Sequence, residues 1–427
     1  MNKLIKQGRV IDPKNGINEI MDILIEDGKI KCVAPAIEKE KETELIEARG
    51  KIVCPGFIDL HVHLRDPGYE YKEDILSGTR AAAAGGFTAI CCMPNTEPVI
   101  DTPAVARYVI EKAERRSAIP VLPFGSITRG MGGKVLTEMG AMAEAGCVGF
   151  SDDGVPVENT AIMRNALEYV KMLGLPIVSH SEEKTLSHGG LMHEGYYSTI
   201  YGLKGIPALA EELAVHRDIE LAALCRSRLH LCHLSTAGSI ELLRRAKAAG
   251  HMVTGEVTPH HLSLTDESLA DYDTDFKVNP PLRSAADVEA LIQGLNDGTI
   301  DCIATDHAPH HFESKDCEFE LAAFGISGLE TAVAVVMHYL VKTGRLSLNR
   351  MVELFTTGPA AVIGQDRGHL STGTAADICI LDEHQECVVD PAKFFSQGKN
   401  TPYKGMRLCG WPVMTLVGGE IIHQLQD

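Results

Sequence analysis

The stretch FIDLHVHLRDPG, residues 57–68, closes an apolar run with two histidines one residue apart and an arginine two residues beyond the second. Side chains alternate across a β-strand, so His61 and His63 point the same way at its end and can share one metal ion. Other ligand-type residues fall at comparable places. Asp153 follows CVGFS in the run SDDG, His180 ends PIVSH, His233 lies near the end of LHLCHL, and Asp306 ends DCIATD. Neutral imidazoles combined with carboxylates suit zinc or a similar divalent ion. Counting divides them: His61, His63 and Asp306 suit a first ion, His180 and His233 a second, and Asp153 a bridge, with a hydroxide between the ions as nucleophile. Asp152 is the alternative bridge; Asp153 is preferred because it lies further out from the strand. His260, His261, His307 and His311 are left unassigned, because a histidine near such a rim is more often structural.

The elements that must position these residues alternate regularly. Eight short β-like runs, FIDLH, TAICCM, PVLPFG, CVGFS, PIVSH, LHLCHL, MVTGEV and DCIATD, are separated mostly by helical stretches such as DILSGTRAAAAGG, AIMRNALEYVKMLG, ALAEELAVHRDIELAALCR and AGSIELLRRAKAAG. This pattern predicts an α/β fold, a (β/α)8 TIM-type barrel whose site forms at the C-terminal ends of its strands. An open doubly wound sheet is the competing architecture. The two ends read differently. KLIKQGRVID, IMDILIEDGKI and KIVCP at the start, ADICILD and VMTLVGGEII at the end, are strand runs with turns at Asp27-Gly28 and Gly418-Gly419. Both termini are expected to combine into one small β-sandwich domain, residues 1–54 and 366–427, beside a barrel of 55–365.

The chain of 427 residues, 44% hydrophobic, can bury a large core. Its 58 acidic against 40 basic residues leave a net charge of −18, which argues against nucleic acid or an anionic membrane as partner. An anionic small molecule would then need a local positive site. The start lacks the apolar core of a signal peptide, and no run approaches a membrane span, so a cytoplasmic protein is expected. The twelve cysteines are scattered without a CxxC pair and are read as free thiols.

The runs DLHVHLRDPG, MPNT, SDDGVPV, SHSE, CHLST, EVTPHHL, KVNPPLR, ATDHAPH and FGISGLET, in this order between about Lys51 and Ala361, resemble bacterial dihydroorotases of class I in the amidohydrolase superfamily. The resemblance implies zinc-dependent, reversible interconversion of (S)-dihydroorotate and N-carbamoyl-L-aspartate in pyrimidine biosynthesis, with one or two ions per subunit. It implies that a metal-activated hydroxide attacks the ring amide while Asp306 serves as general acid and base. It also implies substrate contacts at His63, Arg65, Asn95, Asn279 and His310, and a main-chain contact to the ring at Phe324 and Gly325. Arg65 is suited to a carboxylate as a two-pronged donor, against the plainer reading of a salt bridge with Asp66 or Glu70. The segment HAPHHFESKDCEFELAAFG could close over the substrate. The chain departs from the family at two places: many related barrels bridge their ions with a carbamylated lysine where this one has SDDG, and Ala323 stands where proline is frequent. A hydantoinase-, dihydropyrimidinase- or allantoinase-like cyclic amide hydrolase is the alternative enzyme. A catalytically dead homologue serving as scaffold for aspartate transcarbamoylase is the alternative of another class, and an active enzyme that also binds that transferase is compatible with the sequence. A homo-oligomer is expected, as for most soluble enzymes.

Overall fold

The computed structural model describes residues 2–425. Strands β1 (Phe57–Val62), β2 (Phe87–Cys92) and β3 (Val121–Pro123) form one parallel group. Strands β4 (Ile177–Ser179), β5 (Leu229–Leu231), β6 (Val253–Val257) and β7 (Cys302–Ile303) form a second. Between β3 and β4 the run CVGFS makes only single parallel bridges, Phe150 with Gly125 and with Ile177. It still carries the ladder, because Val148 N–H donates to Pro123 O and Val178 N–H to Phe150 O. A bridge from Val62 to His307 closes the ring, so the eight expected runs make a barrel and the open sheet is excluded.

The helices follow local signals. Asp74 and Ser77 form a reciprocal capping box at the start of α1 (Ile75–Ala84), and Asn159 caps α2 (Thr160–Leu173), which Gly174 ends in a left-handed conformation. Helix α3 (Ala208–Cys225) stops at Arg226, again left-handed. A large apolar cluster joins the inner faces of these helices to the strands. A second gathers Ile58, Leu60, Cys91, Phe124, Val178, Cys232 and Cys302 from around the barrel. Burying such side chains stabilises by about 1.5–3 kcal/mol each, which fixes the strand ends in place.

Both termini contribute to one further sheet. Its order runs Glu420–Gln424, Arg407–Val417, Ile378–Val388, Ile52–Pro55, Lys3–Asp12, Ile17–Glu26, Lys29–Ala34, with Glu44–Glu47 also paired to Lys3–Asp12. The sheet folds about a core of Ile5, Val10, Ile23, Ile25, Ile46, Val53, Ile378 and Leu416, giving the sandwich-like body expected beside the barrel. Its two tight hairpins turn at Asp27-Gly28 (φ 49° and 75°) and Gly418-Gly419 (φ 53° and 77°). Positive φ at both central positions matches the twist of antiparallel strands. No helix among the described residues is long and apolar enough to cross a membrane, and the twelve cysteines are free thiols.

Candidate active site

The rim at the C-terminal ends of the strands gathers the ligand-type residues around Asp153. Its Oδ1 lies 3.4 Å from His61 Nε2, 3.5 Å from His180 Nδ1 and 3.7 Å from His233 Nε2, while Oδ2 lies 3.5 Å from His63 Nε2. Asp306 Oδ1 faces His63 Nε2 at 3.1 Å and His61 Nε2 at 3.6 Å. Two groups result, His61–His63–Asp306 and Asp153–His180–His233, the ligand atoms of each lying within 4.8 Å of one another. Asp153 touches both. Asp152 points away and accepts from Ile127 N–H, Thr128 N–H and the Thr128 hydroxyl, anchoring the neighbouring loop.

Acceptors outside the cluster orient three of the four imidazoles. His61 Nδ1 contacts Glu256 Oε1 at 2.8 Å, His63 Nδ1 contacts Asn95 Oδ1 at 2.9 Å, and His180 Nε2 contacts Glu182 Oε2 at 3.0 Å. Each partner is an acceptor, so the outer nitrogen donates and the inner one turns a lone pair toward the aspartates. His61 Nε2 and Asp153 Oδ1 are buried and have no hydrogen-bond partner among the described residues. Ligand atoms about 2.1 Å from one tetrahedral ion lie about 3.4 Å apart, the spacing around Asp153, so a divalent cation fits these residues and would satisfy both orphaned atoms. The charges agree. Burial opposes the Asp153 carboxylate, yet His61, His180 and His233 outweigh it and hold the carboxyl well below its usual range. Burial likewise opposes protonation of His180, but Asp153 and Glu182 lift it to about 9. A cation here replaces protons that the carboxylates would otherwise draw in.

Three of these residues hold a backbone that side chains disfavour: Arg65 at φ 59°, His233 at φ 32° and Asp306 at φ 46°. Left-handed non-glycine residues cost about 1–3 kcal/mol each and persist only where the surroundings fix them. Glu256 Oε1 accepts His233 N–H at 3.3 Å, and Arg65 O accepts Tyr69 N–H at 2.8 Å.

Above the cluster opens a cavity of about 630 Å³, lined by His63, Arg65, Asn95, Asp153, His180, His233, Asn279, Asp306, His310, Phe324 and Gly325 among others. His61 lies beneath it, fully buried. All twelve residues singled out in the sequence therefore meet at one place. Arg65 makes no ion pair with Asp66 or Glu70; Asp66 pairs with Lys112, Glu70 accepts Gly68 N–H, and Arg65 Nε donates to Pro309 O at 3.3 Å. Among the described residues its two terminal nitrogens make no hydrogen bond or ion pair. His310 Nε2 contacts the Phe324 carbonyl at 2.9 Å, which leaves Nδ1 as a buried, unpartnered acceptor; desolvation, with Arg65 nearby, lowers its pKa to about 2. Gly325, at φ 144°, comes so close to Ala308 that a Cβ would lie 2.7 Å from its carbonyl oxygen, so only glycine fits. Ala323 N–H donates to Ser314 O at 2.9 Å, a bond that the family's frequent proline cannot make. The loop is thus pinned by a hydrogen bond where the sequence departs from the resemblance.

Three of the four unassigned histidines have structural partners. His261 lies 2.7 Å from the Thr258 hydroxyl and 2.9 Å from Pro280 O, His307 pairs with Glu73, and His311 lies against Phe312. His260 is buried with Nε2 unpartnered. Sequence reasoning missed Glu256 and Glu182. Both stand in motifs already marked, EVTPHHL and SHSE, but nothing in those runs says which histidine each would hold.

A barrel with imidazoles and carboxylates converging on its rim, joined to a sheet from both termini, has the build of an amidohydrolase. The model of the Amidohydrolase family matches residues 322–423, and the Dihydro-orotase-like model matches residues 50–239. A dihydroorotase of Pelotomaculum thermopropionicum is 54% identical over 424 residues, 99% of this chain and 99% of that protein. One of Geobacter sp. strain M21 is 51% identical over 424 residues, 99% of this chain and 100% of its own. The chain belongs to the dihydroorotase family. Among solved structures, an L-hydantoinase (dihydropyrimidinase) from Arthrobacter aurescens superposes with a TM-score of 0.89 at 29% identity, covering 99% of this chain and 96% of that one. A dihydropyrimidinase from Brevibacillus agri gives 0.85 at 24% identity, covering 99% and 95%, a likeness of fold alone.

Proposed function

We propose that the chain is a zinc-dependent dihydroorotase that opens and closes the ring between (S)-dihydroorotate and N-carbamoyl-L-aspartate. The observation that carries this is Arg65: an acidic protein places an unpaired guanidinium in the cavity above a histidine–aspartate cluster. Such a fork binds a carboxylate through two parallel hydrogen bonds.

Metal would be held by His61, His63 and Asp306 as one group and by Asp153, His180 and His233 as the other. The donor set suits zinc, which when bound polarises the ring amide and acidifies a water enough for hydroxide to exist near neutral pH. The chain's own residues do the rest. Arg65 binds the substrate carboxylate, and the Asn95 amide, its oxygen turned to His63, offers its NH2 to the same group. Asn279, whose Nδ2 donates to Glu182, lines the opposite part of the cavity and bounds the ring. His310 Nδ1 accepts from a ring N–H, and the backbone at Phe324 and Gly325 reads the ring edge. In hydrolysis the carbonyl carbon gains an oxygen, the C–N bond breaks, and Asp306 passes the proton taken from the attacking water to the leaving nitrogen. Asp306 Oδ1 is the oxygen nearest His61 and His63, and Oδ2 is assigned to carry that proton. In ring closure the same carboxylate takes a proton from the carbamoyl nitrogen as the C–N bond forms and delivers it to the oxygen that leaves the carboxyl carbon as water.

The hydantoinase-like reading is favoured by the structural neighbours, but a ring without a carboxylate gives Arg65 no partner. The deciding experiment is dihydroorotate hydrolysis by metal-free and zinc-reconstituted protein beside Asp306→Ala. Turnover only after reconstitution, abolished in a variant that still binds metal, supports the assignment. Near-normal kcat in that variant refutes it.

A further inference from the structure

We propose that the segment Phe394–Asn400, which lies outside the eight barrel runs, is a strap that positions the substrate-facing loops, with Asn400 as its positioning residue. The proposal rests on reading the cavity as the dihydroorotate site. The strap bends at Phe395–Gln397, with Ser396, Gly398 and Asn400 buried and Phe395, Gln397 and Lys399 exposed. One end is anchored: the Ser396 hydroxyl and Gln397 N–H donate to Glu73, the carboxylate that also holds His307 beside Asp306, and Phe395 and Ser396 N–H donate to Glu330. In the middle, Gly398 passes so close to Pro309 that any Cβ would collide with its ring. Pro309 O is the acceptor for Arg65 Nε.

Asn400 then uses its whole amide on the loops that face the ring. Its Oδ1 accepts His310 N–H at 3.0 Å and the Ser327 hydroxyl at 2.9 Å. Its Nδ2 donates to Ala308 O at 3.1 Å and Gly325 O at 3.0 Å. Its carbonyl accepts Ser327 N–H at 2.7 Å. One buried side chain thereby joins residues 308–310 to residues 325–327 and sets the spacing between His310 and Gly325, two of the groups assigned to the ring. It touches neither Asp153 nor any histidine ring of the ligand cluster. Loosening it should therefore weaken substrate binding while leaving the metal in place.

The test measures kcat, KM for dihydroorotate, zinc per chain and thermal melting for the wild type and Asn400→Asp, which sets a carboxylate oxygen against the Ala308 and Gly325 carbonyls. Loss of two buried hydrogen bonds predicts a KM raised about tenfold or more, with zinc content unchanged and kcat within about threefold. KM within about twofold of wild type, or zinc and activity lost in parallel, overturns the proposal. Should Asn400→Asp fail to fold, Ser327→Ala removes one bond to the same amide and is expected to raise KM a few-fold; an unchanged KM there also overturns it. If the wild type acts only on an uncharged ring, the substrate reading falls, and the strap is judged on the same KM ratios measured with that ring.

Discussion

Glu256→Gln is the substitution whose consequence can be worked most fully from the geometry. Glu256 is completely buried. Oε1 accepts from His61 Nδ1 at 2.8 Å and His233 N–H at 3.3 Å, and Oε2 lies 3.0 Å from His230 Nε2. One carboxylate thus holds a ligand from each half of the site. Glutamine has the same shape but only one acceptor oxygen. With that oxygen kept on His61 and His233, its NH2 meets His230 Nε2, and His230 can move its proton to Nδ1 and donate to the Thr254 hydroxyl 2.8 Å away. The packing survives, and what disappears is the negative charge that makes His61 a stronger base. Losing such a partner typically weakens metal affinity about 10- to 100-fold, or roughly 1.4–2.7 kcal/mol. Chelator competition on the purified variant, with zinc counted per chain, reads this directly. Metal retention equal to wild type in a variant that melts normally would refute the claim that Glu256 tunes the cluster.

Other changes separate roles that a simple loss of activity would merge. Arg65→Met should raise KM for dihydroorotate by about 10- to 100-fold, the worth of charge-assisted hydrogen bonds of about 1.5–3 kcal/mol, with zinc content intact; equal loss of zinc would make Arg65 structural. Asp153→Ala should lose at least one ion, whereas Asp152→Ala should keep its metal and lose about 1–3 kcal/mol in urea unfolding, because two buried N–H groups at Ile127 and Thr128 lose their acceptor. The reverse pattern would exchange the two aspartates. Desolvation raises Glu330 to about 7, against weaker help from Ser396 and Phe395 N–H. Since the folded state keeps a proton that the unfolded chain releases at lower pH, this residue's contribution to stability falls as pH rises from about 4.5 to 7. Glu330→Gln should therefore gain in melting temperature relative to wild type between pH 5 and pH 8, in steps set by about one titrating group; a constant difference would contradict the shift.

The alternation of strands and helices was legible because both periods are written locally, in apolar runs and in caps such as Asp74 and Asn159. Strand ends could be located well enough to bring His61, His63, His180, His233 and Asp306 to one rim. The run CVGFS was legible as a barrel position but not as two isolated bridges, since its pairing depends on neighbours at Gly125 and Ile177. What sequence could not show is which buried acid serves which histidine. Glu256 lies 195 positions from His61 and Asn400 lies 90 from His310, separations that only the closed fold removes. Adjacent aspartates posed the same problem on a smaller scale: Asp152 and Asp153 are chemically identical, and the direction each side chain takes is set by the loop at Ile127 and Thr128.

The central claim is that this rim acts on a ring bearing a carboxylate. The most direct measurement is kcat/KM of the zinc-reconstituted protein for (S)-dihydroorotate, with hydantoin, dihydrouracil and allantoin assayed beside it. Metal-dependent turnover confined to dihydroorotate, and lost in KM when Arg65 is replaced, is the predicted result. Comparable turnover of an uncharged ring, unaffected by Arg65→Met, would contradict it.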